Sequence, residues 1–338
     1  MTTSDEDLLV GLRNGSWLDR QDFPPLKYAV PGLIPEGTTL LVGPPKIGKS
    51  WFVLACALAT AAGGVVLDKI TVTARPTLYL ALEDGDRRMQ SRCRMLLGEG
   101  PIPAPFEYLT TVAPGRVVET IAAWLARHPG ADPLVILDTL GKVMPPALPG
   151  ESAYQRDYRI GSALKRVTDD DSGRSLLVNH HDRKAAADDF VDSVSGTHGL
   201  AGAADTTVVL VRGRHEREGL LKITGRDVAE GEYAITFVDD CSWRLDGLTL
   251  AEAAKTGVAR RASCGLGDRS TEIVEFMGSR PDESVSPKEV ALKVGIDEKV
   301  ASNYLNRLAR KGRIEKVGRG SYVLPYTPGE SGESGESE

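Results

Sequence analysis

The feature that most limits what this chain can fold into is the eight-residue segment GPPKIGKS at positions 43–50. It satisfies the phosphate-loop (P-loop) pattern G-x-x-x-x-G-K-S, in which glycines let backbone N–H groups face phosphates, lysine neutralises their charge and serine ligates magnesium. An apolar strand pattern at 38–42 precedes the segment and an apolar helix pattern at 50–62 follows it. The sequence therefore predicts a site for ATP and Mg²⁺, with Ser50 as a metal ligand and these nucleotide-binding residues: Gly43, Pro44, Pro45, Lys46, Ile47, Gly48, Lys49, Ser50 and Trp51.

Alternating strand and helix patterns follow the P-loop. Nearly continuous apolar segments predict five strands covered on both faces, at 77–82, 134–137, 175–178, 206–211 and 220–224. Helical patterns lie between them, at 86–97, 117–128 and 153–169. This alternation predicts an α/β fold with a mainly parallel sheet. No helix separates 220–224 from a further strand pattern at 233–238, so we expect a hairpin at the sheet edge.

The length of 338 residues allows one large domain and a small module, because single domains usually run to about one or two hundred residues. Changes in composition predict five segments: an N-terminal arm (1–25), the nucleotide-binding domain (26–248), a linker rich in Ala, Gly and Ser (249–267), a small module (268–325) and an acidic tail (326–338). The tail repeats Gly-Glu-Ser and is predicted to be disordered.

Several classes of protein are disfavoured by composition. Residues 1–7 are polar and acidic, unlike the start of a signal peptide. The longest apolar stretch, 51–67, follows the P-loop and is interrupted by Gly63 and Gly64, so a buried helix explains it better than a membrane span. The four cysteines show no CxxC pair or zinc-type spacing, which suggests reduced thiols and a cytoplasmic location. The net charge of −6 argues against a surface that is basic throughout.

Two carboxylates follow predicted strands. Asp138 ends the apolar run at 134–137, where P-loop ATPases place a residue that holds magnesium. Glu83 ends the strand at 77–82, and strand ends meet at the carboxyl edge of a parallel sheet, near the γ-phosphate. We therefore predict Asp138 as a metal-site residue and Glu83 as the base that activates water. Asp84 is the neighbouring alternative for the base.

Together these residues resemble the RecA-like hexameric ATPases, most closely the RepA-like branch of plasmid-replication helicases. The resemblance spans roughly residues 26–238 and is carried by the P-loop, the Glu83 segment, the Asp138 strand, and the segments VNHHDRK at 178–184 and SGTHGLAGAAD at 195–205. The P-loop departs from the usual glycine-rich form at Pro44, Pro45 and Lys46, which stiffen the turn and add a second cation. The resemblance implies a homo-oligomer, with six subunits expected, that acts on single-stranded DNA.

The resemblance also implies roles for residues that the patterns alone do not assign. His180 or His181 would sense the γ-phosphate, since an imidazole can donate a hydrogen bond to a phosphate oxygen; ordinary polar capping of a strand end is the alternative. Arg183 and Lys184 begin a polar loop that would touch single-stranded DNA in a central channel. Arg226 would be an arginine finger that reaches the nucleotide of the neighbouring subunit, with Lys222 assisting; an exposed turn is the alternative for Arg226.

The module at 268–325 has the pattern of a winged helix-turn-helix domain. Helices are predicted at 269–279, from Ser286 with Pro287 in the first turn, and from Asp297 towards Lys311. A two-stranded wing at 312–324 turns at 318–320. Acidic residues dilute its positive charge and many winged helices bind proteins, so protein binding stays open. The candidate DNA-binding residues in this module are Lys299, Asn303, Arg307 and Arg319.

Three functions fit this combination of features. The leading one is a DNA-dependent ATPase or helicase whose hydrolysis moves channel loops along single-stranded DNA. The second is a replication initiator or regulator that binds DNA and uses ATP as an assembly switch without unwinding. The third is a helicase loader or recombination mediator that remodels other replication proteins. The sequence does not separate them.

Overall fold

The computed structural model of the chain describes residues 9, 11–169, 172–181, 198–213, 216–263, 268–280 and 283–325. The predicted channel-loop residues Arg183 and Lys184 lie outside the described residues, as does the predicted acidic tail. No helix in the described ranges is both long enough and apolar enough to cross a bilayer.

A nine-stranded sheet forms the large domain. Six strands are mutually parallel and three at one side are antiparallel. The spatial order is β7 (Phe106–Leu109), β6 (Thr77–Ala81), β8 (Leu134–Asp138), β9 (Ser175–His181), β3 (Gly37–Gly43), β10 (Thr206–Arg212), β11 (Glu218–Gly225), β12 (Gly231–Val238) and β13 (Ser242–Leu245). Two small pairs stand apart from this sheet: β1 (Tyr28–Val30) with β2 (Ile34–Pro35), and β4 (Val65–Val66) with β5 (Ile70–Thr71).

Helices cover both faces of the sheet because alternate strand residues point in opposite directions. Leu41, Ile136 and Leu177 pack in one apolar cluster, and their sequence neighbours pack in the cluster on the other face. The first face carries α2 (Lys49–Ala62) and α3 (Asp86–Leu97), and the second carries α4 (Val117–Leu125), α5 (Ala153–Asp169) and α6 (His198–Ala203). A short helix, α1 (Gly15–Leu18), precedes the sheet. The predicted α/β fold is confirmed.

The prediction of a hairpin at the sheet edge is right about the pairing and wrong about the edge. Strands β11 and β12 pair antiparallel, but β13 continues the sheet beyond β12, with Phe237 opposite Trp243. The turn between β12 and β13 contains Asp239 and Asp240 in left-handed backbone conformation. Strand β13 has only four residues with mixed polarity, so it shows no extended apolar run.

The segment assigned to a linker by its composition contains a helix, α7 (Leu250–Ser263). Its Ala253 packs in the core beside the sheet, whereas Ala262 packs in the core of the C-terminal module. A Cβ added at Gly257 would lie 2.5 Å from the carbonyl oxygen of Glu232. Alanine and glycine here allow close packing against β12, which is why the composition of this segment resembles that of a flexible linker.

The C-terminal module has the predicted winged helix-turn-helix fold. It contains α8 (Asp268–Gly278), α9 (Pro287–Val294), α10 (Glu298–Arg310) and a wing of β14 (Glu315–Gly318) paired with β15 (Ser321–Val323). Ser286 and Glu289 form a capping box at the start of α9, and Asp297 caps α10 by accepting a hydrogen bond from the Lys299 N–H at 2.8 Å. All four predicted DNA-binding residues of this module are exposed.

Candidate nucleotide-binding site

A cleft of about 720 Å³ opens at the carboxyl ends of the central parallel strands. Its volume is in the range of small-molecule sites in proteins. The cleft brings together residues that lie far apart in the sequence, as expected where parallel strand ends meet. The predicted site residues that line it are Pro45, Lys46, Gly48, Lys49, Ser50, Trp51, Glu83, Asp138 and His181.

The P-loop connects β3 to the N-terminus of α2 and holds Lys49 in place. The Lys49 Nζ donates hydrogen bonds to the carbonyl oxygens of Gly43, at 2.6 Å, and Pro44, at 2.8 Å. Its side chain is almost fully buried, with 3% exposed. Ile47, another predicted nucleotide-binding residue, packs its side chain in the apolar core and does not line the cleft. A fixed ammonium group beside a helix N-terminus favours the binding of phosphate groups.

Ser50 and Asp138 form the candidate magnesium site. The Ser50 hydroxyl donates to Asp138 Oδ1 at 3.3 Å, so the first residues of α2 and the end of β8 meet. Both side chains offer oxygen ligands, which Mg²⁺ requires. Their position at the P-loop matches that of a metal held between protein and phosphate oxygens. The residues present therefore fit both ATP and Mg²⁺.

The environments of Glu83 and Asp84 distinguish the two candidate bases. The Asp84 side chain is only 5% exposed and forms ion pairs with Arg88, at 3.0 Å, and with Arg92. These pairs orient Asp84 towards α3 and compensate its charge. Both carboxylates line the cleft, but only Glu83 is exposed, and Glu83 therefore stays the candidate for the base.

The two histidines at the end of β9 point to opposite faces of the sheet, since strand residues alternate. His181 lines the cleft, and its Nδ1 lies 3.0 Å from Lys49 Nζ. Burial and the Lys49 charge lower the pKa of His181 below its ordinary value of 6.5, and Glu83 and Asp138 oppose this shift only in part. A neutral His181 at pH 7 can accept a hydrogen bond from Lys49 through Nδ1. His180 is not among the residues that line the cleft.

Sequence reasoning missed the side of the cleft formed by the end of β10 and by the antiparallel strands β12 and β13. Arg212, Phe237 and Asp240 line it, and the Arg212 guanidinium stacks 4.4 Å from the centre of the Phe237 ring. Trp243 on β13 donates its indole N–H to the Gly48 carbonyl oxygen at 3.1 Å. Arg212 could have been found from the sequence, because it follows the strand predicted at 206–211. Trp243 could not, because its strand carries no pattern of its own.

Trp243→Phe should weaken nucleotide binding about fivefold, because a phenyl ring keeps the packing but removes the donor to the P-loop, a bond worth about 1 kcal/mol. Titration with a fluorescent ATP analogue would measure this. Trp124→Phe is the matched control. The Trp124 indole N–H also donates a hydrogen bond, to Glu107 at 3.0 Å, but the Trp124 ring packs on the other face of the sheet, away from the P-loop. Equal affinities for both variants and the unmodified protein would contradict a role for Trp243 in holding the P-loop.

Arg226 lies at the opposite edge of the sheet from the P-loop. Its backbone N–H donates to the Asp205 carbonyl oxygen at 3.0 Å, and the Asp205 N–H donates to the Thr38 carbonyl oxygen at 2.9 Å. Thr38 is at the start of β3, and the P-loop follows the end of that strand, about 20 Å away at ~3.3 Å per residue. Arg226 is exposed, and Lys222 pairs with Glu232 at 3.2 Å. The structure thus does not bring Arg226 to the cleft of its own chain.

Comparison with known protein families identifies the large domain. A family profile described as an AAA domain, AAA_25, matches residues 14–187, just over half of the chain. The chain belongs to this AAA domain family. A second profile, described as a transcriptional regulator, AbiEi antitoxin, matches residues 285–325 of this AAA domain protein. No curated protein matches the chain significantly.

Three solved structures are similar to this AAA domain protein at low sequence identity. A DnaB-like replicative helicase, solved for its interactions with primase, has a TM-score of 0.50 at 14% identity over 70% of this chain and 67% of that one. A separately solved ATPase domain has a TM-score of 0.49 at 14% identity, covering 63% and 85%. The RadB recombinase has a TM-score of 0.45 at 13% identity, covering 64% and 93%. The family match, together with the P-loop cleft, makes the large domain a P-loop ATPase domain.

Proposed function

We propose that this protein is a DNA-dependent motor ATPase of the RepA-like replicative helicase type, which works on single-stranded DNA as a ring of six identical subunits. The observation that carries the proposal is the position of Arg226. The cleft holds a P-loop lysine, a magnesium site and a candidate base, whereas Arg226 is exposed at the opposite edge of the sheet. Because Arg226 does not line the cleft of its own chain, a role as an arginine finger requires the nucleotide of another copy.

Each residue of the cleft has a separate role in the proposed hydrolysis of ATP. Glu83 orients the attacking water and takes its proton. Lys49 neutralises charge on the β- and γ-phosphates, and His181, in contact with Lys49, responds to whether the γ-phosphate is present. Ser50 and Asp138 would hold Mg²⁺, which neutralises charge that develops on the phosphate oxygens. Arg226 of the adjacent subunit would stabilise the same charge from outside the cleft.

The link to DNA rests on two parts of the chain. The likeness of the large domain to a DnaB-like replicative helicase supports a channel that holds single-stranded DNA. In the winged-helix module, α10 exposes Lys299, Asn303 and Arg307 along one side, and Arg319 is exposed in the wing. A polar and basic helix in a helix-turn-helix module is suited to duplex DNA. Arg307 also donates to Ser270 Oγ at 3.0 Å, which orients its side chain.

A second candidate function is favoured by the AbiEi match. The profile for a transcriptional regulator covers α9, α10 and the wing, which fits an initiator, helicase loader or regulator that binds DNA and switches with ATP without unwinding. Both candidates share the nucleotide site and the winged helix. They differ in whether hydrolysis is coupled to movement along single-stranded DNA.

A strand-displacement assay distinguishes the motor from the ATP-dependent switch. We expect ATP turnover to rise on addition of single-stranded DNA, and duplexes with a single 3′ or 5′ tail to be unwound from one polarity only. Lys49→Ala should abolish both signals, because the phosphates lose their buried cation, and it controls for contaminating helicases. Turnover that is indifferent to single-stranded DNA, with no displacement from either tail, would overturn the motor proposal in favour of the switch.

A further inference from the structure

Asp138 is surrounded by donors that the proposed chemistry does not use. The Tyr79 hydroxyl donates to Asp138 Oδ2 at 2.5 Å, and the Asn179 Nδ2 donates to Asp138 Oδ1 at 2.5 Å. The weaker contact from Ser50, at 3.3 Å, shares Oδ1 with Asn179. Both oxygens of the carboxylate are therefore held from within the protein, by neighbours on the strands to either side of β8.

The sheet register explains how these three side chains meet. Asp138 is opposite Ala81 on β6 and Asn179 on β9. Tyr79 precedes Ala81 by two residues and so points to the same face, and its long side chain carries the hydroxyl about 6–7 Å along the strand to Asp138. Asn179 lies two residues after Leu177, which belongs to the apolar cluster on that face, so Asn179 points to the same face. On β8 and β9 this face thus carries a polar group near the carboxyl end of the strand, and the Tyr79 hydroxyl reaches Asp138 from β6.

The Tyr79 hydroxyl stays a donor at neutral pH. Its ring is fully buried and packs near Phe106, with 6.2 Å between ring centres. The phenol of a tyrosine is protonated at neutral pH. A protonated phenol beside a carboxylate can only donate to it, so the direction of this hydrogen bond is fixed.

We propose that Tyr79 and Asn179 are positioning residues for the magnesium site, which hold the Asp138 carboxylate in the orientation that presents Oδ1 to the metal beside Ser50. The inference rests on the proposed role of Asp138 at the metal site. Partners that orient a ligating carboxylate typically change metal affinity 10- to 100-fold when they are removed. A phenylalanine would fill the Tyr79 position in the core equally well, so the hydroxyl is explained by Asp138.

Tyr79→Phe tests this with a binding measurement that needs no hydrolysis and no DNA. The bound fraction of a fluorescent ATP analogue is followed as Mg²⁺ is raised from an EDTA-buffered solution to millimolar concentrations. The Mg²⁺ concentration for half-maximal tightening should rise about tenfold in Tyr79→Phe, while the affinity measured in EDTA stays within about twofold because the P-loop is unchanged. Asn179→Ser should shift the Mg²⁺ dependence in the same direction.

Tyr322→Phe is the matched control, because Tyr322 is equally buried and donates its hydroxyl to Asn306 Oδ1 at 3.0 Å in the winged-helix module. It should lower the melting temperature as Tyr79→Phe does but leave the Mg²⁺ dependence unchanged. If Tyr79→Phe and Asn179→Ser both keep the Mg²⁺ dependence of the unmodified protein, the positioning role is wrong. If the unmodified protein shows no Mg²⁺-dependent nucleotide binding, the proposed metal site itself fails, which is a different result.

Discussion

Glu83→Gln should lower kcat for ATP hydrolysis by roughly 10²- to 10⁴-fold, the usual contribution of a positioned general base. Glutamine keeps the size of the side chain but cannot take a proton from water. ATP affinity should stay within about threefold, since the phosphate contacts of the P-loop and Lys49 are unchanged. Single-turnover hydrolysis and titration with a non-hydrolysable ATP analogue would measure the two quantities separately.

Asp84→Asn is the control for this prediction because it changes the neighbouring carboxylate in the same way. Asp84 pairs with Arg88 and Arg92, and Arg92 stacks over the Trp51 ring at 4.6 Å. Loss of the Asp84 charge should lower the melting temperature. The single-turnover rate of Asp84→Asn should nevertheless remain far above that of Glu83→Gln. The opposite ranking of the two rates would assign the base to Asp84.

The ends of the parallel strands are the part of the site that sequence patterns predict best. Each strand is marked by an apolar run, and each run ends in a polar side chain such as Glu83, Asp138 or His181. The topology of a parallel sheet brings such ends to one edge without further information. The pairing of Asp84 with Arg88 is also visible in principle, since the two residues are one helical turn apart beside α3.

The remaining parts of the site depend on tertiary contacts that no local pattern records. The short strand β13 places Trp243 against the P-loop, but four residues of mixed polarity carry no strand signal. The contact of Tyr79 with Asp138 depends on the register between β6 and β8, which the sequence does not specify. Helix α7 has the composition of a linker because alanine and glycine also suit close packing against a sheet.

Arg226→Ala should lower kcat by about 10³- to 10⁵-fold, as loss of an arginine finger does in other phosphoryl-transfer enzymes. ATP affinity should change little, because Arg226 lies at the opposite edge of the sheet from the P-loop of its own chain and does not line the cleft. Steady-state turnover and nucleotide titration would establish both points. Arg116→Ala, at an arginine that is also exposed, is the control and should keep full activity.

Mixing two inactive variants tests whether Arg226 acts on a neighbouring subunit. Lys49→Ala subunits lack the P-loop cation but still carry Arg226, whereas Arg226→Ala subunits have an intact cleft. In a randomly mixed ring with equal amounts of both, about one quarter of the interfaces combine an intact cleft with an intact arginine. Turnover should therefore recover to about that fraction of the normal rate. If both variants assemble together but turnover does not recover at any mixing ratio, Arg226 is not a finger for the adjacent subunit.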